Sequence, residues 1–445
     1  AWADAEHLRV VALPAGRGEI LDANGVVLAV SVTDDTVIAD PSVLAQAGAL
    51  ADVAATLASL LDQPIGQVRA ALDVPGHCAV LPGADGQPLL LDADQSAQVG
   101  QAIAAGRLPG VVLGPVVRRV YPSSALAAQV LGFVRASDGS GQYGIEQQYD
   151  ALLAGQPGLL YTAVDVNGQP LARAPIRQTM AVEGANVQLT LDANIQYWAE
   201  QGLAQAVAQT GATGGTVIVM DPTTGAIRAL ANAPSFDPNA YGQAPLTSLS
   251  DPAVSALYDP GSVMKAVTMA AGIQSGAITP DSAFFDPGWT QVDGVTLYNF
   301  DRYGHGWETM TQVLQYSANV GAVWVEQRIG GAAFVSDLRD FGFFAPTGVD
   351  LPGEAAGLET PMDSPGEADL GAAENAFGES IGVTPLQMVA AYGALANGGV
   401  LLRPYLVASV TADGGHGATQ VYGPHVVRQV VSAATAEEVT QMLVN

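Results

Sequence analysis

Tyr258-Asp259-Pro260-Gly261-Ser262-Val263-Met264-Lys265 is the stretch on which the reading of this chain turns. Pro260-Gly261 is a breaker pair, and residues 263–273 are then apolar almost all round, as in a helix buried inside a domain. On such a helix positions i and i+3 share a face, so the Ser262 hydroxyl and the Lys265 amine meet at its start. Unpaired N–H groups and the positive end of the helix dipole favour developing negative charge there. Lys265 is also the only lysine in the chain: the other fifteen of the sixteen Lys and Arg residues are Arg. Arginine keeps its proton in a protein, whereas a lysine withdrawn from water releases it. A site that needs a proton acceptor to activate a serine explains why this position alone stayed lysine. Ser-x-x-Lys is not rare by itself, since serine is a common residue.

A second element stands downstream at Ser317-Ala318-Asn319, between the helix-like stretch 309–316 and the apolar stretch 320–329. A hydroxyl and an amide two positions apart at a helix junction can relay a proton and hold a substrate amide. Alone, the tripeptide reads first as a helix cap. In series with Ser262 and Lys265 the catalytic reading takes precedence.

Outward from these motifs, 445 residues exceed what one hydrophobic core supports, so two or more domains are expected. A hydrophobic fraction of 49% excludes a disordered chain. The formal net charge of −27 repels phosphate backbones and anionic headgroups, which argues against nucleic acid as a partner. With Cys78 as its single cysteine the chain forms no intrachain disulfide, and Cys78 reads as a small buried hydrophobe. The sequence opens Ala1-Trp2-Ala3-Asp4, without Met and without a run of eighteen apolar residues. Either the chain is soluble as made or a leader or anchor was cut away upstream, and the missing Met favours trimming.

Asn24-Gly25 between apolar runs predicts a hairpin, residues 42–73 have helical spacing, and residues 110–135 return to strand-like Val runs. Nothing in the local sequence of this first third concentrates ionisable groups, so it reads as scaffold. From about residue 183 the texture changes, which divides the chain into residues 1–182 and 183–445. Residues 187–191 alternate like a strand. Asp192 then caps a helix carrying Ile195, Trp198, Ala199 and Leu203 that Gly211 ends. Residues 216–231 form strand, turn and strand around Asp221-Pro222-Thr223-Thr224-Gly225, with Asp221 as a turn residue. None of the five histidines lies in a pattern such as His-Glu-x-x-His, so no metal is expected. Trp307 and Glu308 are read as contacting the next helix, and Thr384-Pro385 as a helix start. Mixed strands and helices of this kind make an α+β chain.

Ser-x-x-Lys followed by Ser-x-Asn is the pairing found in penicillin-binding proteins and class A β-lactamases. The resemblance extends to Val219-Met220-Asp221-Pro222-Thr223-Thr224-Gly225, to Pro234-Ser235-Phe236-Asp237-Pro238-Asn239 and to Gly382-Val383-Thr384-Pro385-Leu386-Gln387. In the first third, Arg17-Gly18, Arg119-Val120-Tyr121-Pro122 and Gly144-Ile145-Glu146 with Tyr149-Asp150 resemble the pedestal of the class B members. The resemblance implies a serine β-lactamase-like transpeptidase domain over residues 183–445, an antiparallel sheet flanked by helices. A mixed α/β pedestal of dimerisation type precedes it over residues 1–182. It further implies a peptidoglycan D,D-transpeptidase with Ser262 as nucleophile, Lys265 as base, Ser317 as proton relay and Asn319 orienting the acyl chain. No metal or organic cofactor is implied. Stem peptides and β-lactam antibiotics are the implied ligands, a membrane glycosyltransferase a candidate partner, and the extracytoplasmic membrane face, reached through an N-terminal anchor, the implied location. The family's Lys-Thr-Gly strand is expected after residues 433–444, where the chain stops at Asn445, so the domain reads as truncated. Losing one oxyanion donor costs about a hundredfold to a thousandfold in rate. Two other readings share the fold: a β-lactam hydrolase or sensor, and a catalytically inactive cell-wall scaffold protein.

Overall fold

The computed structural model describes residues 8–13, 15–83, 86–163, 177–359 and 367–444; the opening residues 1–4 lie outside this set. At Asn24-Gly25 the chain turns through a left-handed Gly25, φ 84°, while the Asp22 carboxylate accepts from the Asn24 and Val26 amides at 2.8 Å. The turn sends Ile20–Leu21 back as an antiparallel partner of the strand Val27–Ala39. That long strand pairs antiparallel with Val111–Val120, from Val30 opposite Val120 to Ala39 opposite Val111. The expected helical region is three helices, Pro41–Ala47, Leu50–Leu60 and Ile65–Leu72, and Ala93–Ala104 joins them. Asp40 caps the first, and Asp92 with Gln95 forms a capping box on the last. Val37, Leu57, Leu72, Val99 and Val111 meet inside this lobe as a core of its own. Cys78 lies on its surface, exposed; a polar, Gly- and Pro-bounded loop holds it there, so the expectation of burial is wrong.

Ile20–Leu21 also pairs parallel with Asn186–Leu189, which pairs antiparallel with Val407–Thr411, and Thr419–Val421 completes that edge. One sheet therefore joins the beginning of the chain to its last quarter. Under it Ile20, Leu28, Leu131 and Ile145 pack with Val187, Leu230, Leu386 and Leu406. Ionisable groups that lie far apart in the sequence gather here by folding. Arg17 Nε lies 2.6 Å and Arg119 Nε 2.7 Å from the two oxygens of Glu146, which is fully buried, and Arg17 also reaches Asp150 at 2.7 Å. The first third thus does concentrate charge, in a network that closes its fold.

Asp192 accepts from the Asn194 and Ile195 amides and starts the helix Ala193–Thr210; Gly211 ends it in the left-handed region. Its buried side chains are Gln196 and Leu203, while Trp198 is 71% exposed and Ile195 is exposed as well. Leu203 faces inward, whereas Ile195 and Trp198 face outward because the Gln196 amide occupies the inner position at that end of the helix. It pairs with both backbone groups of Leu230, at 2.8 and 2.9 Å, as a neighbouring strand would. Gly215–Met220 and Ile227–Ala233 form the predicted hairpin, with Asp221 accepting from Thr223 in the turn. The third core surrounds the helix Met264–Gln274, whose residues 264–272 are all buried. Asn319–Ile329, Gly331–Asp340, Pro385–Ala396 and Ala433–Val444 supply the apolar faces around it. Each fully buried Val or Met contributes about 1.5–3 kcal/mol. The architecture is the expected α+β one, antiparallel strands layered against helices.

Candidate active site

Ser262 sits in the single tight turn Gly261–Val263 that feeds the helix Met264–Gln274. The turn is held from below. Tyr258 exchanges both backbone hydrogen bonds with Val383, at 3.0 and 3.1 Å, and the Gly261 amide donates to the Gly378 carbonyl at 2.9 Å. Gly378 has φ 83°, and a Cβ on it would lie 2.1 Å from the Gly261 oxygen, so the close approach requires glycine. Asp259 accepts from the Ile381 amide at 3.2 Å, and the Tyr392 hydroxyl donates to the Val263 carbonyl at 2.8 Å.

The Lys265 amine points at Ser262. Its Nζ lies 3.1 Å from Ser262 Oγ, 3.0 Å from Ser317 Oγ, 2.6 Å from the Ser317 carbonyl and 2.7 Å from Asn319 Oδ1. Lys265 is 1% exposed, and this burial pulls its pKa down to about 8, against the opposing pull of the Glu379 charge. At pH 7 about one molecule in ten then carries the neutral amine. Four oxygen neighbours exceed the three protons of an ammonium. The neutral amine has two N–H groups and a lone pair, so it can donate to the two shortest acceptors and accept from the serine hydroxyl.

Ser317 ends the helix Met310–Tyr316 in the left-handed region, φ 55° and ψ 41°, and Ala318 then starts Asn319–Ile329. A non-glycine residue held there costs on the order of 1–3 kcal/mol, a strain the surrounding bonds must offset. The Ala318 amide donates to the Val313 carbonyl at 3.0 Å, Asn319 Nδ2 to the Tyr298 carbonyl at 3.0 Å, and the Val320 amide to Asn299 Oδ1 at 3.1 Å. The corner so fixed aims the Ser317 hydroxyl at Ser262, 2.8 Å away. Of the four residues singled out in the sequence, Lys265 touches the other three, and Ser262, Ser317 and Asn319 line a cleft of about 470 Å³. A hydroxyl, an amine whose proton is loosened by burial and a second hydroxyl in series can move one proton off a nucleophile and onto a leaving group.

Sequence reasoning missed the rest of the cleft. Phe300, Asp301, Tyr316, Phe377 and Glu379 line it, delivered by two loops and a helix end far apart in sequence, so no local spacing announces them. Trp307 is 74% exposed and packs edge-on against Phe285, its partner across the strand pair, with centroids 5.9 Å apart.

Residues 215–445 match the model of the penicillin binding protein transpeptidase domain, and residues 12–189 that of the penicillin-binding protein dimerisation domain. The chain belongs to the class B penicillin-binding proteins. This penicillin-binding protein is 38% identical over 327 residues to penicillin-binding protein PbpB of Mycobacterium tuberculosis, covering 73% of the chain and 47% of that relative. It is 30% identical over 429 residues to stage V sporulation protein D of Bacillus subtilis, covering 96% of the chain and 64% of the relative. The chain thus spans about half to two thirds of the length of these relatives. Penicillin-binding protein 2X of Streptococcus thermophilus has the same fold, with TM-score 0.81 at 25% identity over 98% of this chain and 66% of that one. Penicillin-binding protein 3 of Mycobacterium tuberculosis, solved with aztreonam, superposes with TM-score 0.70 at 30% identity, over 97% of this chain and 75% of that one.

Proposed function

We propose that this penicillin-binding protein is a peptidoglycan D,D-transpeptidase, with residues 183–445 carrying the chemistry and residues 1–182 a non-catalytic pedestal. The observation that carries the reading is the 3.1 Å contact between Ser262 Oγ and the buried Lys265 Nζ, closed into a triangle by Ser317 Oγ. Lys265 takes the Ser262 proton as Oγ attacks the penultimate D-Ala carbonyl of a stem peptide. The C–N bond to the terminal D-Ala breaks, and the proton passes through Ser317 to the departing amine. Asn319 orients the acyl chain. An amine of a second stem peptide then attacks the ester, the C–O bond breaks, and the proton returns to Ser262.

A β-lactam presents a strained amide in the place of the donor and stops at the ester. Mycobacterium tuberculosis penicillin-binding protein 3 has been solved with both aztreonam and ampicillin, which supports β-lactams as ligands here. Among the described residues no helix is long and apolar enough to cross a membrane. The substrate places the chemistry on the extracytoplasmic face, and a membrane glycosyltransferase that makes the glycan strands is the fitting partner.

Fluorescent penicillin tests the reading. The protein should become covalently labelled and keep the label for many minutes, and Ser262→Ala should abolish labelling. Release within seconds would make it a hydrolase instead, and unchanged labelling of the variant would remove Ser262 from the mechanism.

A further inference from the structure

Beside the Ser317 corner, the strands Ala283–Asp286 and Gly306–Thr309 pair antiparallel and bring three side chains together that lie far from any metal-binding spacing in sequence. His305 Nδ1 is 3.2 Å from Asp286 Oδ2 and 3.6 Å from Glu308 Oε2, and the three ligand atoms all lie within 4.8 Å of one another. The side chains of Asp286 and Glu308 are 0% and 1% exposed. Neither oxygen of Glu308 has a hydrogen-bond partner, nor does His305 Nδ1. Two buried carboxylates side by side, one of them without a donor, are costly unless a positive charge stands between them.

The other ring nitrogen, Nε2, lies 3.1 Å from Asp301 Oδ2; in the tautomer whose Nε2–H donates to that carboxylate, the Nδ1 lone pair faces Asp286 and Glu308 and is free to bind a metal. A tetrahedral ion with bonds of about 2.0–2.2 Å separates its ligands by about 3.3–3.6 Å, close to the two separations at His305. We propose that Asp286, His305 and Glu308 hold a divalent cation of the zinc class, with a fourth position for water. The imidazole nitrogen selects such an ion over magnesium or calcium, which take oxygen ligands.

Such an ion would act on the cleft by position. Asp286 Oδ2 also accepts from Asn299 Nδ2 at 2.7 Å, and Asn299 Oδ1 accepts from the Val320 amide in the first turn after Ala318. Glu308 precedes Thr309, which caps the helix that ends at Ser317. The cluster thereby holds both sides of the corner that presents Ser317 and Asn319. The proposal does not rest on the transpeptidase reading.

The protein, stripped with a chelator and dialysed, is to be titrated with zinc, and separately with cobalt(II). The expected result is one zinc per chain, a rise in Tm on zinc addition, and the intense visible bands of four-coordinate cobalt. Glu308→Gln, nearly isosteric and uncharged, should lose the bands and the Tm response. Absent cobalt bands in the unaltered protein overturn the proposal whether or not the variant folds, and so does a Glu308→Gln variant that binds zinc with unchanged affinity.

Discussion

Lys265 touches four oxygens and almost no water, and its burial makes pH the most direct probe of its role. A lysine lowered to about 8 is mostly charged at pH 7 and mostly neutral at pH 9. If the neutral amine is the base, the rate constant for acylation by a β-lactam rises with pH along a limb whose midpoint is about 8, and flattens above it. Asn319→Asp would set a carboxylate where an amide oxygen now lies 2.7 Å from Nζ. An opposite charge at that range favours the ammonium by about 1–3 pKa units, so the limb should move to more alkaline pH by that order. Stopped-flow acylation across pH 6–10 reads both effects, and a limb that stays in place removes Lys265 as the base. The pair was legible because i and i+3 spacing on an apolar helix dictates a shared face, and because Lys265 is the sole lysine. Asp301 and Glu379 were not legible, since a loop residue's contribution to a cleft depends on where other segments place it. Glu146 shows the same limit: its two arginine partners, Arg17 and Arg119, come from distant parts of the chain.

For whole elements the sequence announces ends better than faces. Asp192 and Gly211 bound the helix Ala193–Thr210, and Thr384 with Gln387 forms the capping box that starts Pro385–Ala396, because caps satisfy local backbone groups and need only neighbours in sequence. Which side of Ala193–Thr210 turns inward is decided by the strand it meets, and there the Gln196 amide outcompetes Ile195 and Trp198. The element under greatest constraint is the nucleophile turn. It rests on the backbone of Gly378, where any side chain would meet Gly261 head-on. Gly378→Ala imposes left-handed backbone on an alanine at about 1–2 kcal/mol, and the 2.1 Å contact forces Gly261 and Ser262 away from Lys265 as well. Penicillin labelling should fall by at least an order of magnitude while far-UV circular dichroism stays that of the unaltered protein. Full labelling in the variant would show that the turn tolerates displacement.

Across the whole molecule, the sheet does not respect the change of texture at residue 183. Ile20–Leu21, Asn186–Leu189 and Val407–Thr411 lie side by side, and Ile20, Leu28 and Ile145 share one core with Val187, Leu230 and Leu406. Composition along a chain reveals changes of texture, but not which strands close over a common core. By contrast the lobe of residues 40–110 packs around its own centre and hangs from a two-stranded ribbon. Ala39 and Val111 face each other where the ribbon meets the lobe, and the Asp40 amide donates to the Gly110 carbonyl at 2.7 Å. A two-residue Asn-Gly turn can close such an antiparallel pair. Replacing residues 40–110 by Asn-Gly should therefore leave penicillin labelling within a few-fold of the full chain, because the excised core shares no buried residue with the one beneath Ser262. Starting the chain at residue 183 removes the Ile20 strand and eleven of the twenty-seven buried residues of the shared core, and should leave a protein that neither labels nor unfolds cooperatively. Loss of labelling in the first variant together with retention in the second would reverse this assignment of which part of the pedestal the catalytic half depends on.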